Sequence, residues 1–309
     1  MHAHRVLLSM LCLLVMPGLA RAATCTFDLS GETGPLDIWY GEVAGPYVCT
    51  DDGSTVACAE PKECIGWGSG DVVLIIGTAA SDQIWPCHMS SPCWVGDCEI
   101  AEDGDWTLEI RGGDGDDNLW GRNGGVDWLY GEDDADQIRG DGGTDYIYGG
   151  SGDDIWLYGM NGDDAVFGDD GCDRVFGGSG NDWVFVGSDY TDDGCAGVQH
   201  ALGDYGNDLV VGSYSTDLLE GGYGDDTIWG LSGDDCILGC DYVHDICSTG
   251  DQDTMYGGAD EDSLCDIDNS DDEFDGGDQG AIFQDNDHAS DYFINATLDL
   301  TACSCVEWF

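Results

Sequence analysis

Aspartate is the residue through which this chain could do chemistry. Between Asp117 and Asp262 it returns at nine-residue steps, each time followed by one free position and then an apolar residue, as in Asp117-Asn-Leu119, Asp136-Gln-Ile138 and Asp226-Thr-Ile228. With Gly112-Gly-Asp-Gly115-Asp-Asp117-Asn-Leu119-Trp120 as template, fifteen units can be laid out. Fourteen have Asp at position six, and all fifteen have an apolar residue at position eight, Trp156 among them. Two steps are ten residues long (to Asp127 and to Asp164), and residues 186–202 interrupt the frame. Carboxylates on turns are hard oxygen ligands, and glycine lets backbone carbonyls turn inward beside them. A calcium ion takes about six to eight such oxygens at about 2.3–2.6 Å. Disorder, the ordinary state of an Asp/Gly-rich chain, does not require an apolar residue at one phase of the cycle. A fixed period of this kind decides the architecture.

The elements that must position these carboxylates are read in chain order. Residues 1–22 read as a secretory signal peptide: Arg5, an apolar run from Val6 to Val15, and Ala20-Arg21-Ala22 as a small-x-small cleavage site. Thr24 before Cys25 argues against a lipoprotein. No other apolar segment is long enough to span a membrane. All 64 acids follow residue 22 while two of the seven basic residues lie within it, so the mature charge is 5 − 64 = −59. Such a chain repels nucleic acid and anionic surfaces, and its compact state needs neutralising cations. Eleven Trp, thirteen Tyr and 42% hydrophobic residues argue for a folded chain. Fifteen of the sixteen cysteines lie beyond the signal peptide, which fits an oxidising compartment with disulfides. A zinc site is disfavoured, because no C-x-x-C pair exists and the histidines are scattered.

Residues 23–104 form a Cys-rich cap in which Asp71-Val-Val-Leu-Ile-Ile76 reads as a buried strand and residues 77–85 fit the nine-residue frame once. Residues 105–185 and 203–275 are two repeat blocks separated by the 186–202 insertion. From Gly276 to Phe309 the period is lost, and a C-terminal cap is expected there.

The units at residues 112–120, 149–157, 177–185, 221–229 and 230–238 resemble the haemolysin-type calcium-binding repeat of the RTX (repeats-in-toxin) family, G-G-x-G-x-D-x-U-x with U apolar. The resemblance implies an all-β fold, a right-handed parallel β-roll in which each unit gives a turn and a short strand, two units complete a coil, and several calcium ions sit between successive turns. It makes ligands of Asp117, Asp127, Asp136, Asp145, Asp154, Asp164, Asp173, Asp182, Asp208, Asp217, Asp226, Asp235, Asp253 and Asp262. Weaker sites are expected where Arg122-Asn opens a unit and where Asp134, Ser215, Asp251 and Asp260 replace the fourth-position glycine; the unit with His244 in place of Asp is expected to lack its ion.

If two units make a coil, positions eighteen apart stack on one sheet about 4.8 Å apart. Cys247 and Cys265 would then be neighbours within disulfide reach. Trp128, Tyr130, Tyr146, Tyr148, Phe167, Trp183 and Phe185 would form an outward aromatic ladder, with Ala165 the one exception in its columns. A ladder of this size calls for cover: part of the same chain, a second copy of it, or a polysaccharide stacked on the rings. No H-E-x-x-H, G-x-S-x-G or phosphate-binding loop is present, and Asp266-Ile-Asp268 lacks the glycine of an EF-hand. The expectation is a secreted bacterial calcium-binding protein, extracellular or at the cell surface, that is not an enzyme and has a structural or adhesive role. The competing expectations are an exported RTX-type enzyme or effector, and a calcium-dependent glycan-binding module.

Overall fold

The computed structural model describes residues 24–31, 37–42, 46–51, 56–59, 72–86, 107–187, 195, 197–239, 251–265, 272–277, 281–284, 292–294 and 296–298. Residues 1–22, expected to be a signal peptide, and Cys247 lie outside them. Each repeat unit supplies one turn and one strand, and successive strands alternate between two sheets. One sheet has twelve strands and the other fourteen. No helix occurs among the described residues. Neighbouring strands run parallel and pair in register at eighteen or nineteen residues, as in Tyr146↔Trp128 and Tyr146↔Ala165. This is a parallel β-roll of the kind the period requires. Among the described residues only the ribbon of Asp37–Glu42, Pro46–Asp51 and Val56–Ala59, at one edge of the larger sheet, pairs antiparallel.

The core is a single column of position-eight side chains between the sheets. Leu119, Leu129, Ile138, Ile147, Val166, Val175, Val184, Val210 and Ile228 are all almost completely buried, and Ile75, Ile84 and Phe274 extend the column at either end. Each buried aliphatic side chain contributes about 1.5–3 kcal/mol. The interior is thin, so the turns at its two edges must be stabilised by something other than apolar contact.

Four expectations need correction. Trp156 does not point inward. The ten-residue step to Asp164 places its extra residue at Ile155, which is exposed; Leu157 is the buried partner of Ile138, and Trp156 faces out beside Gln137. Secondly, the insertion ends sooner than expected, because the strand Gln199–Tyr205 starts at residue 199 and pairs His200 with Arg174 and with Leu218. Thirdly, the register of pairs steps over the His244 unit, which lies outside the described residues. Thr227 pairs with Thr254 and Leu238 with Cys265, each twenty-seven residues apart, so the strand partner of Cys265 on that side is Leu238. Cys236 and Cys265 are each disulfide-bonded. Finally, the C-terminal part does not leave the roll: Glu273–Asp275, Ala281–Gln284, Tyr292–Ile294 and Ala296–Leu298 continue both sheets in parallel register. At the other end, Thr24–Asp28, Asp37–Glu42, Val72–Ile76 and Gln83–Pro86 belong to the same two sheets, so the Cys-rich region merges into the first coils.

Candidate metal centres

The position-six residues fall into two rows, one along each edge of the roll. One row runs through Asp127, Asp145, Asp164, Asp182, Asp208, Asp226, Asp253 and Asp272. Each of its backbone amides donates to Oδ1 of the next aspartate, at 2.7–3.0 Å. The other runs through Asp82, Asp117, Asp136, Asp154 and Asp173, and resumes at Asp217, Asp235 and Asp262 with the same contact. All fourteen aspartates singled out in the sequence lie in these rows. Asp82 and Asp272 extend them; the frame at residues 77–85 pointed to the first, while the second stands after the period has weakened.

The second carboxylate oxygen is the informative one. Oδ2 of Asp117, Asp136, Asp145, Asp154, Asp164, Asp182, Asp208, Asp226, Asp235 and Asp262 is buried and accepts no hydrogen bond. Orphaning a buried carboxylate oxygen at ten rungs is costly. Burial is the main cause that pushes these carboxyls up: Asp136, Asp145, Asp226 and Asp235 to about 9, and Asp117 and Asp182 to about 8, with neighbouring carboxylates adding to the effect.

Glycine shapes the space that these oxygens face. A Cβ added to Gly140, at position one, would lie 2.6 Å from Asp145 Oδ2 and 2.8 Å from the Gly159 carbonyl oxygen of the next coil. At Gly177 the same two distances, to Asp182 Oδ2 and to the Gly203 carbonyl, are 2.6 and 2.8 Å. A carboxylate oxygen and a carbonyl oxygen therefore converge on one small space in each turn. Among the described residues no three His, Cys, Asp or Glu side chains gather at one point, so a bound ion would draw most of its oxygens from the backbone. Hard, oxygen-only, carbonyl-rich surroundings suit calcium. The residues present fit that ion, which when bound would neutralise the paired carboxylates. Gly140→Ala is expected to weaken calcium binding and to raise the calcium midpoint of folding several-fold; an unchanged midpoint in a calorimetric titration would count against the cradle.

Four positions depart from the pattern. Asp127 is in its row, yet both its oxygens are taken: Arg122, 1% exposed, donates from Nε (2.8 Å) and Nη2 (2.5 Å) to Oδ1 and from its backbone amide (2.5 Å) to Oδ2. A guanidinium thus fills the turn expected to hold a weak metal site. Gln199 takes the position-six place between Asp173 and Asp217; its Nε2 donates to Ser213 Oγ (3.1 Å), and Ser213 donates in turn to both oxygens of Asp217. Asp134 and Asp260, standing where glycine belongs, hold the left-handed conformation at φ 78° and 83°, so those turns keep their shape.

Sequence reading missed a second ladder at position five. Its side chains lean the other way: Oδ1 of Asp116, Asp153, Asp163, Asn181, Asn207, Asp225 and Asp234 accepts from the position-five amide of the following coil. The abundance of Asp and Asn at that position was the available signal. Cys172, at this position, is disulfide-bonded to Cys195, which fastens the 186–202 segment to the turn.

A parallel β-roll with buried carboxylates in rows between its turns is a solenoid of the calcium-binding class. The RTX calcium-binding nonapeptide repeat matches the repeat region in four copies, at residues 109–125, 122–155, 156–190 and 202–239. No curated protein and no solved structure shows significant similarity to the chain.

Proposed function

We propose that this chain is a secreted bacterial calcium-binding protein whose repeats fold as calcium enters the turns, with a structural or adhesive extracellular role and no catalytic activity. The observation that carries this reading is the run of ten buried Oδ2 atoms without a hydrogen-bond partner. Protein groups do not complete these turns, and a cation between coils would. The position-six carboxylates of each row supply the charge, the turn carbonyls supply neutral oxygens, and the position-eight column fixes the spacing. The Cys172–Cys195 bond and the disulfide-bonded Cys236 and Cys265 fit passage through an oxidising compartment. Among the described residues no helix is long and apolar enough to cross a membrane.

The adhesive part of the reading draws on the outer surface. Tyr130, Tyr148, Phe167 and Phe185 stack face to face with ring centroids 4.9–5.0 Å apart, and Trp128 stacks on Tyr146 at 4.2 Å. The rings partly cover one another, and Trp183 stays 58% exposed. This ladder suits self-association or a flat glycan surface.

The test is far-UV circular dichroism of the mature chain titrated with calcium from chelator, with magnesium as control. A cooperative gain of β-signal with calcium alone supports the reading. A fully folded spectrum in chelator overturns it.

A further inference from the structure

A groove of about 500 Å³ lies on the outer face of the fourteen-stranded sheet, opposite the aromatic ladder, lined by Asn118, Trp120, Gln137, Arg139, Trp156 and Tyr158 among others. Its floor is three neighbouring strands. The middle one presents Gln137 and Arg139; the strands on either side present Asn118 with Trp120 and Trp156 with Tyr158. Two aromatic stations therefore flank a polar one along the roll axis, about 4.8 Å from strand to strand. Trp156 reaches the surface only because Ile155 is an extra residue, and it is 38% exposed while its ring runs parallel to Tyr158 at 5.9 Å and Phe176 at 6.2 Å.

Charge narrows the choice of occupant. Four arginines lie among the described residues. Arg122 is buried against Asp127, and Arg111 is held between Glu109 (2.7 Å) and Glu132 (3.3 Å) on the other sheet. The remaining two, Arg139 and Arg174, both open from this face and are exposed. Arg139 uses Nε on Asp141, which leaves its two Nη groups without a hydrogen bond to the described residues. Elsewhere the acidic turns repel an anion. Here a guanidinium fork, two amides and the exposed Trp156 line one groove, with Trp120 half-buried at its other side. Aromatic faces stack on the apolar faces of sugar rings, amides bond hydroxyls, and an arginine fork pairs a carboxylate or sulfate.

We propose that this groove binds a linear anionic polysaccharide, with Trp156 and Trp120 stacking on sugar rings and Arg139 pairing an acidic substituent between them. The proposal deepens the adhesive reading and rests on the folded roll.

The experiment is isothermal titration of the mature chain in millimolar calcium with polygalacturonate, heparin and neutral dextran. Circular dichroism in the same buffer establishes that the roll is folded, so loss of fold, which would count against calcium-dependent folding, is distinguishable from loss of binding. Saturable binding of a polyanion and not of dextran is expected. Trp156→Ala and Arg139→Gln should each weaken it roughly tenfold, the size of one stacking or charge-assisted contact, while Trp229→Ala, an exposed tryptophan on the other sheet, leaves it unchanged. No polyanion binding by folded protein, equal binding by the groove variants, or equal binding of dextran overturns the proposal. So does sedimentation showing a dimer that the same variants dissociate, since a second copy would then fill the groove.

Discussion

In excess chelator the mature chain is expected to lack roll structure at neutral pH and to gain β-signal as the pH is lowered toward about 4, near the ordinary carboxyl value. Folding without metal holds the row carboxyls at about 6 to 9, as for Asp164 and Asp262 at the low end and Asp136, Asp145, Asp226 and Asp235 at the high end. A carboxyl raised in the folded state binds its proton more tightly there than in the unfolded chain. Folding is therefore favoured below the ordinary value and progressively opposed as pH rises through the window from about 4 to about 9. One pH unit of separation at one group is worth about 1.4 kcal/mol, so a few rungs outweigh the roughly 5–15 kcal/mol that holds a typical domain together. Calcium inverts the dependence, because its ligands must be deprotonated. The calcium concentration at half-folding should rise on acidification. Circular dichroism against pH, with and without calcium, reads both arms. A chelator-treated chain whose spectrum does not change between these limits would show that the carboxylates do not control folding.

Arg122→Met should be among the most damaging single substitutions in the roll, costing about 3–5 kcal/mol, because it leaves the fully buried Asp127 carboxylate without its counter-charge. Among the described residues the pair is the one turn in which the chain supplies its own buried cation, so the loss should appear in calcium as well as in weak chelator. A compensating change gives the diagnostic result: Arg122→Met combined with Asp127→Asn removes the buried charge and should recover much of the stability. Thermal melts of the two singles and the double, closed as a mutant cycle, measure the coupling. Additive losses would mean that the two side chains do not act as a pair.

Much of the fold was legible in the sequence because two constraints share one period. Position eight must be apolar to fill a one-residue-wide core, and position six must be Asp to occupy the turn; together they fixed the register and the rows. What escaped was local. Ile155 shifts Trp156 from the inner to the outer face without disturbing Asp154 or Asp164, and strict counting cannot see which residue of a ten-residue step is extra. Gln199 escaped because an amide was not expected in a row of acids, although Ala201 keeps the buried place two residues on. Arg122 was noticed as an irregular opening, but only its burial showed that it neutralises Asp127. The position-five ladder was hidden by excess: with 64 acids in the chain, composition alone did not separate ordered turn residues from solvated ones.

The hydrogen bonds between coils take no account of how much chain separates them. Asp82 bonds Asp117 across thirty-five residues, Asp182 bonds Asp208 across twenty-six and Asp226 bonds Asp253 across twenty-seven, with the contact seen at eighteen. Sequence added between a strand and the next turn is thus invisible to the roll, and loop closure grows only slowly more costly with length. The three long steps each enclose cysteines: Cys87, Cys93 and Cys98, then Cys195, then Cys236, Cys240 and Cys247. The roll behaves as a mounting rail. Peptides of differing length can be fitted along it, exchanged or lost, while the coils on either side keep their register and their turns.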